Sequence, residues 1–189
     1  MRKLLLLSAI LLLNITAFAQ YPAGRACAAF DSTFHYLTAN NLNFWFQGGP
    51  VLSGENGDHT VFNSFSMDMH YVPVKYLQAG VNLRKRLPAE KDISFWKSYE
   101  LALYARYTFI RMDCPKMGVY AQAGATNVVD VRKNSAGKES TWAPHGGLGI
   151  YKDLGKALMV QFEGTSYFNK RPGQLSLTVT WKFMTMKFR

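Results

Sequence analysis

Beyond its first residues this 189-residue chain has no long apolar run. A transmembrane helix needs about 20 consecutive apolar residues, so any later membrane crossing has to be made by strands. Cysteine is nearly absent, with Cys27 and Cys114 the two in the chain. In an oxidising compartment that pair allows a disulfide without demanding one. Neither the cysteines nor the histidines stand at spacings that read as a metal site, and no cofactor is expected. Acidic residues are scarce, 12 against 22 Lys and Arg. The basic residues are scattered or gathered in connections, and an exported chain rarely meets nucleic acid, so acidic lipid headgroups are the better-matched partner.

Export is read from the start of the chain. "MRKLLLLSAILLLNITAFAQ" places Arg2 and Lys3 before an apolar run from Leu4 to Leu13, and then Ala17-Phe18-Ala19 as a small-x-small cleavage site. That is the layout of a secretory signal peptide over 1–19, removed from fold reasoning. Without Arg2 and Lys3 the mature chain carries 20 basic and 12 acidic residues, a net charge of +8. Its length is that of one domain. The division expected is a periplasmic N-terminal segment at 20–40 and a barrel domain at 41–189.

Proline punctuates the remainder. Pro50, Pro73, Pro88, Pro115 and Pro172 fall between alternating runs, and "KNSAG" and "KDLGK" carry turn chemistry of their own. These seven connections predict eight strands at 41–49, 62–72, 75–86, 97–109, 117–130, 141–152, 157–168 and 174–184. Most exceed the usual soluble strand and suit a tilted bilayer crossing. Pro144, inside the sixth strand, is expected at its outer end, where water can meet a missing ladder bond.

Within the strands apolar and polar residues alternate. In "SYELALYARYTF", Tyr99, Leu101, Leu103, Ala105, Tyr107 and Phe109 oppose Glu100, Ala102, Tyr104, Arg106 and Thr108. "YLQAGVNLR", "ALMVQFEGTSYF" and "QLSLTVTWKF" repeat the pattern. A soluble calycin would bury the apolar set; a membrane barrel would turn it to lipid. Three features favour lipid. Aromatics gather near strand ends, namely Phe62, Tyr71, Tyr76, Trp96, Tyr99, Tyr107, Phe109, Trp142, Tyr151, Phe168, Trp181 and Phe183, as in interfacial girdles. The polar face holds whole charges, Asp68, Glu100, Arg106, Glu163 and Lys182, beside Gln47, Gln78 and Gln122. Longer connections at 50–61, 87–96 and 131–140 alternate with shorter turns, the short last loop near Pro172 excepted.

"SYELALYARYTF" with "MGVYAQAGA", "PHGGLGIYKDLGKALMVQFEGTSYF" and "QLSLTVTWKFM" resembles the small outer-membrane β-barrel family of OmpX and the OmpA transmembrane domain, part of the porin-like families, over roughly 41–184. The resemblance implies an all-β, eight-stranded antiparallel up-and-down barrel in the outer membrane of a Gram-negative bacterium. It further implies a non-enzymatic role in envelope integrity, adhesion or limited diffusion of small solutes. A monomer is expected, meeting outer-membrane lipid and lipopolysaccharide, and the insertion machinery during biogenesis. That machinery reads a terminal aromatic; here Phe188 is followed by Arg189, so either Phe188 serves or the last strand ends near Phe183.

For Asp68, Glu100, Arg106, Glu163 and Lys182 the resemblance suggests a lumen salt-bridge network that gates ion flow. The residues alone suggest charges that neutralise one another in an interior side chains fill. Arg84, Lys85, Arg86, Lys91, Lys97, Arg132, Lys133 and Lys138 form a cationic rim that would bind lipopolysaccharide phosphates or stand simply solvated. Cys27 and Cys114 both fall on the periplasmic side, where they either pair or stay thiols. His35, His59, His70 and His145 raise a lipid A-modifying enzyme on the same fold, but none is expected to meet a Ser and a carboxylate on one strand. A soluble lipocalin-like carrier is the other alternative.

Overall fold

The computed structural model describes residues 35–55, 58–87, 98–113, 116–130, 141–168 and 172–188. Eight strands form: β1 (Asn41–Glu55), β2 (Asp58–Val74), β3 (Leu77–Leu87), β4 (Ser98–Asp113), β5 (Lys116–Asp130), β6 (Thr141–Asp153), β7 (Leu158–Tyr167) and β8 (Gly173–Lys187). Each pairs antiparallel with the next, and β1 pairs with β8, so the sheet closes on itself. The architecture is all-β and up-and-down, with one 3-10 turn at His35–Leu37 leading into β1. Closure leaves no sheet edge, which is the condition for backbone to cross hydrocarbon.

The period-two pattern sets which face goes inward. Ser64, Ser66, Asp68 and His70 on β2 and Ser176, Thr178 and Thr180 on β8 are buried inside. Their neighbours Phe65, Met67, Met69, Leu175, Val179 and Trp181 are exposed on the outer surface. A soluble calycin has the opposite polarity, polar out and apolar in; this barrel is apolar outside, as lipid demands.

Two connections differ from the sequence expectation. The first outer loop, expected at 50–61, is mostly ladder, running from Val51↔Phe62 to Glu55↔Asp58. Pro50 sits within β1 opposite Asn63; on its other side the pairing passes from Gly48↔Val179 to Val51↔Ser176, so the missing N–H falls where β8 offers no registered partner. Likewise β2 continues through Pro73 to Val74, and a tight turn at Lys75 and Tyr76 leads to β3. Tyr76 takes φ of 72°, the left-handed region that side chains seldom adopt. Its amide donates to the Leu37 carbonyl at 3.0 Å and its carbonyl accepts from the Thr108 amide at 3.0 Å, which holds it there. Pro144 lies near the outer end of β6, exposed opposite Ala125.

The girdle expectation is corrected at three positions. Phe62 and Tyr151 are buried in the interior and Tyr76 packs against the buried cluster at its mouth, while Tyr71, Tyr99, Tyr107, Phe109, Trp142, Phe168, Trp181 and Phe183 face outward and Trp96 lies outside the described residues. Phe62 and Tyr151 keep strand parity with buried inward-facing neighbours, Ser64 for Phe62 and Gly149 for Tyr151. Parity overrides residue type.

Candidate functional site: a filled and charge-paired lumen

The lumen is built in layers. At the end that holds the short turns, the 3-10 turn feeds Tyr36 and Leu37 into the mouth against Trp45, Tyr120, Tyr151 and Met159. The Tyr36 hydroxyl donates to Asp153 Oδ2 at 2.8 Å, and the Asn43 amide donates to the Tyr36 carbonyl at 2.9 Å. Lys182 Nζ reaches Asp153 Oδ1 at 2.9 Å and lies 4.6 Å from the Tyr36 ring centroid. Lys182 is therefore paired at the mouth, apart from the other four expected lumen charges.

The middle layer centres on two carboxylates. Asp68 meets His70 Nδ1 at 2.6 Å and accepts from the Tyr104 hydroxyl at 2.8 Å and from Asn82 Nδ2 at 3.2 Å. The other ring nitrogen of His70 meets Gln78 Nε2 at 3.0 Å, and the Trp45 indole lies edge-on to its ring at 4.3 Å. With Nδ1 donating to Asp68, Nε2 is free to accept from Gln78, so neutral imidazole satisfies both contacts.

Glu163 accepts from Arg106 at 3.2 Å, from the Tyr120 hydroxyl at 2.7 Å, from Gln122 Nε2 at 2.7 Å and from Thr165 at 2.9 Å. The Arg106 guanidinium also donates to Gln122 Oε1 at 2.9 Å and lies 4.2 Å from the Tyr120 ring centroid. Stacking on an aromatic face while donating from its rim is what a planar guanidinium does well.

In the outer layer Glu100 pairs with Arg86 and with Arg84, the latter at 3.6 Å. Arg86 also caps the Phe62 ring at 4.9 Å, and Arg84 donates to Gln174 at 3.3 Å. Thr126 and His145 Nδ1 meet across β5 and β6 at 3.0 Å.

These layers leave a cavity of about 40 Å³ among Asp68, Glu100, Arg106, Gln122 and Glu163, enough for a few water molecules and no solute. Each buried carboxylate has a cationic or multiple hydrogen-bonding partner, which is required because an uncompensated buried charge is severely destabilising.

Sequence reasoning missed several of these contacts. Arg84 and Arg86 point into the barrel and hold Glu100, so of the eight expected rim cations Lys85 is the described one on the outer face. Lys91, Lys97, Arg132, Lys133, Lys138, Cys27 and Cys114 lie outside the described residues. The expectation that no histidine shares a strand face with a Ser and a carboxylate is corrected. Ser66, Asp68 and His70 occupy alternate positions of β2 and all face inward. The Ser66 hydroxyl donates instead to Gln47 at 3.3 Å, so serine, histidine and carboxylate do not form a relay.

No protein-family model and no curated protein matches the chain. Its architecture is similar to solved transmembrane barrels. One is a de novo designed transmembrane β-barrel, at TM-score 0.53 and 12% identity over 77% of this chain and 97% of that one. A second design, TMB2.3, gives 0.51 and 14% over 78% and 97%. The N-terminal β-barrel domain of Pseudomonas aeruginosa OprF gives 0.51 and 13% over 77% and 98%. The likeness is one of fold: the chain is a transmembrane β-barrel by architecture.

Proposed function

We propose that this protein is an exported, integral outer-membrane barrel with a structural, non-enzymatic role in the cell envelope, its lumen shut rather than conducting. The observation that carries the reading is the filled interior, where paired charges leave about 40 Å³. Of the roles considered, envelope integrity and adhesion agree with that interior better than diffusion of solutes. The apolar outer wall supports residence in a bilayer, and the leader at 1–19 supports export. Lipopolysaccharide, through Lys85 and the basic outer connections, and the insertion machinery are the partners that follow, with the protein acting as a monomer.

Two measurements test this. Envelope fractionation followed by gel electrophoresis with and without boiling is expected to place a heat-shifted band in the outer-membrane fraction; a soluble, unshifted band overturns the reading. Planar-bilayer recording of the refolded chain is expected to show no stable conductance, and regular unitary steps would return the solute-diffusion role. Altered lipid A on expression, lost on replacing His70 or His145, would replace the structural role with an enzymatic one.

A further inference from the structure

At the turn end of the barrel Lys75 and Lys156 lie in turns, and Arg111, Lys116, Lys152 and Lys187 lie at the adjoining strand ends. The acidic residues at this end, among the described residues, are Asp113 and Asp153, and Asp153 is turned inward to Lys182 and Tyr36. The cations form a collar rather than a patch, because up-and-down topology delivers every second connection to the same rim.

Two features tie the collar to a lipid surface. Arg111 is fixed in place, its guanidinium 3.5 Å from the centroid of the Tyr76 ring, with Lys75 Nζ 5.0 Å from the same ring. The cations also border exposed apolar side chains: Ile110 and Met112 flank Arg111, and Leu154 stands exposed in the turn between Lys152 and Lys156. A soluble anion would use the charge and leave this apolar border idle, whereas a charged lipid uses both.

We infer that this rim is a docking collar for anionic glycerophospholipid headgroups of the leaflet facing the turns, their phosphates on the cations and their acyl chains on the adjoining wall. The inference rests on the membrane-spanning reading, which the boiling-dependent gel shift reports independently.

The test uses the full chain refolded into phosphatidylcholine vesicles containing a minority of spin-labelled phosphatidylglycerol. The readout is the fraction of labelled lipid immobilised at the protein, compared with spin-labelled phosphatidylcholine. The wild type is expected to hold phosphatidylglycerol in excess, and salt to remove that excess. The variant K75Q/K156Q changes only turn positions outside the ladders and keeps the gel shift; in it the relative affinity for phosphatidylglycerol falls by about thirtyfold, about fivefold for each cation removed. Adding K152Q and K187Q abolishes the excess, while K85Q at the opposite end leaves it intact. An excess unchanged in the gel-shifted collar variants overturns the inference. So does tight binding to isolated cell-wall sacculi with no lipid preference, which would make the partner a polymer.

Discussion

The Tyr120 ring lies directly over Gly149, its registered partner across the β5–β6 ladder, and the Tyr151 ring lies over Gly118 in the same way. The two tyrosine rings, stacked 6.2 Å apart at an interplanar angle of 26°, thereby fill the base of the lumen without forcing the strands apart. A Cβ added at Gly149 or Gly118 would overlap the facing ring. Glycine opposite an aromatic is a known device for register and close packing in curved sheets.

Gly149→Ala is therefore expected to destabilise the barrel by about 1–3 kcal/mol, as overpacking does. Gly48→Ala, whose Cβ would meet only ordinary contacts, should stay within about 0.5 kcal/mol. Urea unfolding in vesicles measures both, and equal effects would contradict the ring-over-glycine account.

Arg106 and Glu163 are expected to be strongly coupled. Replacing either alone with Met strands a charge in the lumen and costs about 3–5 kcal/mol, while replacing both costs less than the sum of the two. A double-mutant cycle by the same unfolding assay checks this, and simple additivity would show that the pair does not act as a unit.

Leu37 and Tyr36 close the mouth from the N-terminal side, so Leu37→Ala should destabilise by about 2–4 kcal/mol. It should nevertheless remain silent in planar bilayers, because the Arg106–Glu163 layer stands behind it. Adding Arg106→Ala and Glu163→Ala to that variant is expected to produce conductance steps.

Phe188 donates its amide to the Asn40 carbonyl at 2.8 Å and packs its ring 6.3 Å from Tyr71. The last strand reaches Lys187, so Phe188, and not Phe183, is the terminal aromatic of the barrel. Phe188→Ala should cost about 1 kcal/mol or less in vesicle refolding yet strongly reduce the heat-shifted form in cells. An equal loss in both assays would assign Phe188 to stability alone, without recognition by the insertion machinery.

Much of this architecture was legible because one variable, side-chain parity, governs it. Eight strands and their inward faces follow from alternation that a closed wall between lipid and a polar interior enforces. A local signal misleads about strand ends where the ladder overrides it: Pro50 breaks strands in general, but here it occupies a position without a β8 partner. Charge alone points Arg84 and Arg86 to a rim, whereas their alternation with Leu83, Lys85 and Leu87 places them inward. The contact of Asp68 with His70 was present as an i, i+2 spacing. Its other partners, Tyr104 and Asn82, come from strands whose register no single strand encodes.

The seam between β1 and β8 joins the first and the last strand of the barrel, as in the bond from Thr185 to Asn43 at 2.7 Å. β1 therefore waits with an unpaired edge until the last strand has been made, delivered and registered against it. A chain truncated within β8 keeps that edge open in an apolar sheet, the condition that favours aggregation and proteolysis. Closure thus makes the fold a check on its own synthesis: a shortened translation product does not become a slightly weaker barrel but fails to become a barrel.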